Sequence, residues 1–196
     1  MSVDVNIYDA RFFTNAVKLE APSARAVADI LNKHFAPRSV IDVGCGCGVY
    51  LAEFKKRGVK ILGYDGSPAA LKASLVGAKI KLRDLCRPLP LKQKFDLCLC
   101  LEVAEHLPLL AADTLINTLV KSAPTIVFTA ATPGQGPRSI GHINEQPHSF
   151  WVKKFQAQQY SLDKKLTAKI KREMKARKVI WWIVKNLTVF KHSRGS

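Results

Sequence analysis

The sequence predicts an α/β fold, a seven-stranded and mostly parallel sheet with helices on both faces. Short apolar runs of strand length alternate with amphipathic segments of helix length, which is the pattern of parallel βαβ units. A glycine-rich turn directly after the first run is the second observation, because such turns join a buried strand to a helix. The runs are centred near Val40, Ile61, Ile80, Leu97 and Ile126, and the helical segments near Leu51, Leu71 and Leu115.

Further elements are expected at both ends of this alternation. Ser23 is a favourable N-cap residue, and it predicts a helix that continues through Asn32 and His34 before the first strand. Tyr160-Ser161 and residues 186–190 are expected to supply strands six and seven. A chain of 196 residues can bury one core, so we expect a single domain over residues 1–196.

The first strand ends in an acidic residue and a tight turn. Asp42 is followed by Gly44, Gly46 and Gly48, and an amphipathic segment begins at Val49. Glycine lets a ligand approach the backbone and adopts positive φ angles easily. The helix start that follows offers free N–H groups. The stretch therefore predicts a nucleotide-type pocket.

Two common nucleotide loops do not fit this turn. A Walker loop needs Lys and Ser or Thr directly after the last glycine, whereas Val49 and Tyr50 follow Gly48. A dinucleotide fingerprint is G-x-G-x-x-G, which is one residue longer than the G-x-G-x-G found here. A turn without any ligand would leave three closely spaced glycines unexplained.

Acidic residues also follow the next three strands. Asp65 lies 17 residues after Gly48, close to the spacing at which a carboxylate meets ribose hydroxyls. Asp84 follows the third strand, and the segment 102–106, E-V-A-E-H, follows the fourth.

These motifs in this order resemble the class I S-adenosylmethionine-dependent methyltransferases, in which acid-x-G-x-G-x-G is motif I and E-V-x-E-H follows strand 4. The likeness covers roughly residues 5–191, and Cys47 departs from the smaller or hydroxyl-bearing residue usual in the family. Further matches to a bacterial-type subgroup of methyltransferase-domain proteins are the segments 8–13, 133–136, 142–146, 149–151 and 181–190.

The resemblance implies a Rossmann-like methyltransferase fold with S-adenosylmethionine as the cofactor. It implies that the glycine turn packs against the methionine part, that Asp65 binds the ribose and that Asp84 accepts from the adenine amino group. Residues 1–35 are expected to form a helical segment that covers the cofactor, and residues 151–191 a basic helix and the final strands. The expected cofactor-binding residues are Tyr8, Phe13, Asp42, Gly44, Cys45, Gly46, Gly48, Asp65, Gly66, Asp84, Leu85, Glu102, Val103 and His106.

Methyl transfer requires the enzyme to align an acceptor and to remove or tolerate its proton. Residues beyond strands 4 and 5 face the acceptor in this fold. His142, His106 and Glu145 are therefore the candidate catalytic residues, and Glu105 is a further candidate. We rank His142 first, because a histidine suits general-base work near neutral pH and the 142–146 run also offers amides. For both histidines, a structural hydrogen bond is an equally weighted alternative.

Composition limits the other classes of function. No apolar run approaches the ~20 residues that span a bilayer, and the polar start lacks a signal-peptide pattern, so we expect a cytoplasmic protein. The five cysteines include no C-x-x-C pair and the histidines lack zinc spacing. We therefore expect reduced thiols and no metal.

The C-terminal quarter carries most of the net charge of +16. Residues 151–196 contain 13 Lys and Arg against 2 Asp and Glu. Leu162, Leu166, Ile170 and Met174 recur every four residues, which predicts a basic amphipathic helix. We favour a helix that packs on the sheet over a surface for RNA, a nucleotide-linked sugar or anionic lipid. Trp181 and Trp182 lie in an apolar run expected to be packed.

We predict a methyltransferase that modifies oxygen or nitrogen of a small molecule, such as a sugar or secondary metabolite. The alternatives are an RNA methyltransferase that uses the basic end, and a non-catalytic cofactor-binding or scaffold protein. A small-molecule acceptor ranks ahead of nucleic acid and of an anionic membrane surface as partner.

Overall fold

The computed structural model describes residues 3, 5–135 and 140–193. Residues 1–2, 4 and 194–196 of the predicted domain lie outside the described residues, as does Gly136 of the predicted 133–136 run. Among the described helices, none combines the length and the hydropathy that a membrane-spanning segment needs.

The described residues form one mixed sheet of seven strands. The spatial order is β3-β2-β1-β4-β5-β7-β6, with β1 to β5 parallel and β7 antiparallel to both of its neighbours. The predicted seven-stranded, mostly parallel sheet is confirmed. The strands are β1 (Ser39–Val43), β2 (Lys60–Asp65), β3 (Ile80–Leu82), β4 (Leu97–Leu101), β5 (Thr125–Thr129), β6 (Tyr160–Leu162) and β7 (Thr188–His192).

Helices cover both faces of this sheet, as predicted. One core cluster joins α1, α2 and α6 to one face, and a second joins α4 and α5 to the other. Because β1 to β5 are parallel, their carboxyl ends lie along one edge of the sheet, which we call the carboxyl edge. The helices are α1 (Ala10–Phe35), α2 (Val49–Lys56), α3 (Pro68–Lys72), α4 (Ala112–Ser122), α5 (His148–Ala157), α6 (Lys164–Ala176) and α7 (Trp181–Asn186).

The first helix begins earlier than Ser23, so the predicted cap is wrong. The Asp9 carboxylate caps α1 by accepting the N–H of Phe12 at 2.8 Å, and the helix runs on through Pro22. Proline removes one internal N–H donor, and α1 continues past it all the same. Ser23 is buried instead, and its hydroxyl oxygen accepts the N–H of Ile180 at 2.9 Å.

The basic end also differs from its prediction in detail. Leu162 belongs to β6, because Asp163 caps α6 by accepting the N–H of Leu166 at 2.9 Å. Asn186 ends α7, so the last strand starts at Thr188. Trp181 is exposed rather than packed. The favoured packing of the helix is otherwise observed, since Ile170 and Met174 are buried.

We predict that Ser23→Ala destabilises the fold by about 1–3 kcal/mol, because the buried N–H of Ile180 loses its acceptor. Thr14→Ala is the matched control, since this exposed hydroxyl donates only to the carbonyl of Ala10 in its own helix. Urea unfolding of both variants measures the difference in free energy of unfolding. Equal midpoints for the two variants would contradict this role of Ser23.

Candidate cofactor and acceptor site

A cavity of about 340 Å³ lies at the carboxyl edge, above β1, β2, β3 and β4 and below the start of α1. The predicted cofactor-binding residues line it with one exception, Gly48, which lies at the N-cap of α2. The predicted residues in the lining are Tyr8, Phe13, Asp42, Gly44, Cys45, Gly46, Asp65, Gly66, Asp84, Leu85, Glu102, Val103 and His106.

The glycine turn forms the floor of the cavity. Gly44 has a φ of +82°, and a Cβ there would collide with the side chain of Val103. The N–H groups of Gly44 and Cys45 both donate to the carbonyl of Tyr64, at 2.8 and 3.1 Å. The turn is therefore held against the end of β2, where only glycine fits at position 44.

Asp65 links this turn to the next helix. Its carboxylate accepts the N–H of Gly46 at 2.8 Å and the N–H of Ser67 at 2.9 Å. Burial raises the pKa of Asp65, and these backbone donors partly offset the rise. Asp84 differs, because it is exposed and accepts the N–H of Cys86 at 2.9 Å. Both acids belong to the cavity lining.

Further carboxyl groups surround the inner end of the cavity. Asp42 is buried, and burial raises its pKa well above the usual range, with the charges of Asp65 and Glu20 adding to the rise. Burial also raises the pKa of Glu102 and of Glu105, and the negative charge of Glu102 raises that of Glu105 further. Acids in such surroundings gain most from a cationic ligand.

Glu20 is an acidic lining residue that the sequence did not reveal. Burial raises its pKa to about 7, with the Tyr50 hydroxyl lowering it and the charge of Glu102 raising it. The residue lies inside α1, outside every motif, and no spacing signal marks it. Its side chain meets the site only because α1 crosses above the cavity.

The three candidate acceptor-side residues lie together. The His142 Nδ1 is 2.8 Å from a Glu145 carboxylate oxygen, and the His106 and His142 ring centroids are 4.8 Å apart. The loop that carries His142 is held by the carbonyl of Glu105, which accepts the N–H groups of Ile143 and Asn144 at 2.9 and 3.0 Å. The structure thus brings residues from two loops to one place.

His106 is enclosed on both sides of its ring. The Tyr8 hydroxyl lies 2.8 Å from its Nδ1, and the backbone of Gly141 also hydrogen bonds to the ring. Burial lowers the pKa of His106 to about 4, with His142 contributing. His106 is therefore neutral near pH 7, with its nitrogens engaged.

A metal ion could also be held by side chains at this place. Glu105, His106 and His142 each offer one ligand atom, and these atoms lie within 4.8 Å of one another. One carboxylate oxygen of Glu105 already accepts the N–H of Ala131 at 3.0 Å. The expected absence of a metal stays a prediction.

Residues 17–159 match a family model described as a methyltransferase domain. A ubiquinone biosynthesis O-methyltransferase of Alkalilimnicola ehrlichii is 31% identical over 111 residues, which cover 52% of this chain and 44% of that protein. The chain thus spans about half the length of the curated relatives that it matches.

Two solved structures share the fold. A sugar N-methyltransferase from a Streptoalloteichus species superposes with a TM-score of 0.65 at 14% identity, covering 94% of this chain and 92% of its own. The magnesium protoporphyrin IX methyltransferase of Synechocystis, solved with SAH bound, has a TM-score of 0.58 at 18% identity and covers 74% of each chain.

We predict that Asp65→Ala weakens binding of S-adenosylhomocysteine by about 1.5–3 kcal/mol, because a charge-assisted acceptor is lost. Calorimetric titration measures the affinity, and NAD serves as a ligand that is not expected to bind. Asp113→Ala is the matched control, since that acid is exposed and pairs with Lys154 away from the cavity. Unchanged affinity in folded Asp65→Ala would show that the acid does not bind the ribose.

A second prediction concerns the pH dependence of cofactor binding. A carboxyl group with a pKa of about 7 is mostly protonated at pH 6, and the cofactor's cationic groups favour its ionised form. Binding should therefore release a proton below pH 7. Affinity for S-adenosylmethionine should rise about tenfold from pH 6 to pH 8 and then level off.

Calorimetry in buffers of different ionisation enthalpy counts the released protons. Glu20→Gln should flatten this pH dependence, whereas Glu53→Gln, on the outer side of α2 beside Lys56 and Arg57, should keep it. A pH profile that survives in Glu20→Gln would assign the proton to another acid.

Proposed function

The chain belongs to the methyltransferase-domain family, whose enzymes use S-adenosylmethionine, and we propose that this domain transfers the cofactor's methyl group to oxygen or nitrogen of a small molecule in the cytoplasm. The observation that carries the proposal is the His142–Glu145 pair, 2.8 Å apart and packed against His106 at the end of the cavity. A proton acceptor thus adjoins the cavity expected to hold the methyl donor.

His142 fits the role of general base better than His106. With Nδ1–H donated to the Glu145 carboxylate, the Nε2 of His142 carries the lone pair that can accept a proton. The second oxygen of Glu145 accepts the N–H of Gly134 at 3.0 Å, so the carboxylate is itself held in place. His106 has both nitrogens engaged, and we assign it a positioning role.

The residues that line the cavity support an assignment of the cofactor positions. We propose that the turn at Gly44 and Gly46 contacts the methionine part, that Asp65 binds the ribose hydroxyls and that Asp84 accepts from the adenine amino group. Glu20 and Asp42, at the inner end, are proposed to face the cationic groups. S-adenosylmethionine supplies the activated methyl group, and the chain aligns the acceptor and takes its proton.

The start of the chain is proposed to cover the cofactor as part of one domain. Tyr8 and Phe13 line the cavity, and the carbonyl of Tyr8 accepts the hydroxyl of Ser67 at 2.7 Å. This contact fixes the N-terminal segment over the end of β2. The division into a covering segment of residues 1–35 and a C-terminal part of residues 151–191 stays a proposal.

The comparisons support a small acceptor. The names of the matched proteins describe an O-methyltransferase of ubiquinone biosynthesis, a sugar N-methyltransferase and a magnesium protoporphyrin IX methyltransferase, and none of these names describes a nucleic acid or protein acceptor. Incubation with methyl-labelled cofactor and cell extract, separated into small-molecule, lipid and RNA fractions, tests which class takes the label.

We predict that His142→Ala lowers kcat by about 10²–10⁴-fold, the usual range for a lost general base, while affinity for S-adenosylhomocysteine stays near wild type. His106→Ala should lower kcat less and should also loosen the Tyr8 contact. Glu145→Gln is the companion variant, because its amide oxygen can still accept the N–H of Gly134 while the charge behind His142 is removed. Near-normal turnover in His142→Ala would refute the assignment of His142 as the general base. It would indicate that the enzyme acts only by aligning the acceptor with the methyl donor.

A further inference from the structure

Large apolar side chains stand exposed beside the acceptor end of the site. Leu109 and Leu110 lie in the connection from β4 to α4, and Ile140 lies in the connection from β5 to α5. Their exposed fractions are 53%, 95% and 58%. Trp181, on α7, is 56% exposed. We call these four residues the apolar rim.

Leu109, Leu110 and Ile140 lie in connections at the carboxyl edge, and Trp181 lies on the helix that leads to it. The connections after β4 and β5 leave the sheet at that edge, and Leu107, just before Leu109, lines the cavity. Strand β7 is antiparallel to β5, so α7, which precedes β7, lies at the same edge. The side-chain amide of Asn186 donates to the Glu102 carboxylate at 3.0 Å, which places the C-terminal end of α7 beside the carboxyl end of β4.

Cations adjoin the rim at Trp181. The Lys185 Nζ lies 5.9 Å from the centre of the Trp181 ring, and the Lys171 Nζ donates to the carbonyl of Lys185 at 2.7 Å. Further exposed cations extend from there over α6 and the turn after it, and none of them forms an ion pair within the described residues. They are Lys164, Lys165, Lys169, Arg172, Lys175 and Lys178. We call these cations, with Lys171 and Lys185, the basic face.

We propose that the apolar rim and the basic face dock on the surface of an anionic lipid bilayer. The four rim side chains enter the headgroup region, where apolar groups and tryptophan are stabilised. The basic face meets the negative charge of anionic headgroups, which is the charge complementarity that selects this partner. Docking places the acceptor end of the cavity against the membrane.

A nucleic acid fits this surface less well. Single-stranded nucleic acids gain affinity from bases stacked on aromatic rings, whereas three of the four rim residues are aliphatic. The remaining ring, Trp181, already has a cation beside it. Exposed aliphatic side chains are removed from water when they enter the surface of a bilayer. They form no favourable contact with the phosphate groups of a nucleic acid.

The docking changes the class of acceptor that we expect. An acceptor with an apolar tail and a hydroxyl or amine in the headgroup region would reach His142 without leaving the membrane. This part of the inference rests on the proposed methyl transfer, whereas the docking surface does not.

Flotation with lipid vesicles tests the proposal on the whole chain. We expect binding to vesicles that contain phosphatidylglycerol and little binding to pure phosphatidylcholine, with weaker binding at about 0.15 M salt than at low salt. Leu110→Ser should weaken vesicle binding about tenfold, and Lys185→Gln about fivefold. Both side chains are exposed, so folding should be retained, and circular dichroism checks it.

Two matched controls sharpen the test. Leu75→Ser removes an equally simple exposed leucine near the β2–β3 end of the sheet, and Lys94→Gln removes an exposed cation just before β4, at the opposite edge. Both variants should bind vesicles like wild type. Equal losses in controls and rim variants, equal binding to both vesicle types, or no binding at low salt would overturn the proposal.

Other occupants of the surface would also overturn it. Nanomolar RNA binding that Lys185→Gln abolishes, without vesicle binding, would assign the face to RNA. A dimer in light scattering that Leu110→Ser dissociates, again without vesicle binding, would assign it to a second copy. Titration with S-adenosylhomocysteine on the same samples separates the two proposals, because failed vesicle binding with intact cofactor binding refutes only the docking.

Discussion

The two hydrogen bonds that Asp65 accepts hold the site together. They join the glycine turn after β1 to the start of α3, so these two parts of the cavity lining are fixed in position relative to each other. From there the contacts continue through the hydroxyl of Ser67 to the backbone of Tyr8, and through the Tyr8 hydroxyl to His106. One continuous set of polar contacts therefore connects the cofactor end of the cavity to the histidine pair.

Around this set, the protein concentrates carboxyl groups that form no ion pair with a Lys or Arg among the described residues. Asp42, Glu20, Glu102 and Glu105 are all shifted toward their protonated forms by burial. Thirteen of the 31 lysines and arginines of the chain lie in residues 151–196, and none of those that the structure describes there lines the cavity. Glu20, Asp42 and Glu102 do line it, together with the cation Arg83, and this excess of acids suits a cationic ligand.

The sequence predicted those parts of the structure that local chemistry determines. Buried parallel strands are continuous apolar runs. The sequence therefore predicted β1 to β5, and the acidic residues at the carboxyl ends of the first four, at their correct positions in the chain. The errors concern contacts between distant segments. Ser23 serves as a buried acceptor for Ile180, and Asn186 ends a helix beside Glu102, because of tertiary partners that no local pattern reveals. The position of Glu20 in the cavity lining depends in the same way on how α1 crosses the sheet, and the exposure of Trp181 depends on how α7 does.

The contacts of Tyr8 also bear on the kinetics of ligand exchange. Its backbone is fastened at the cofactor end and its hydroxyl at His106, and Gly141 leaves the space that the hydroxyl occupies, since a Cβ there would collide with it. In the proposed arrangement, lifting the covering segment from the cavity also breaks the hydrogen bond between Tyr8 and His106. Cofactor exchange is therefore coupled in this proposal to a rearrangement at His106, so that this tyrosine influences the order in which ligands enter and leave.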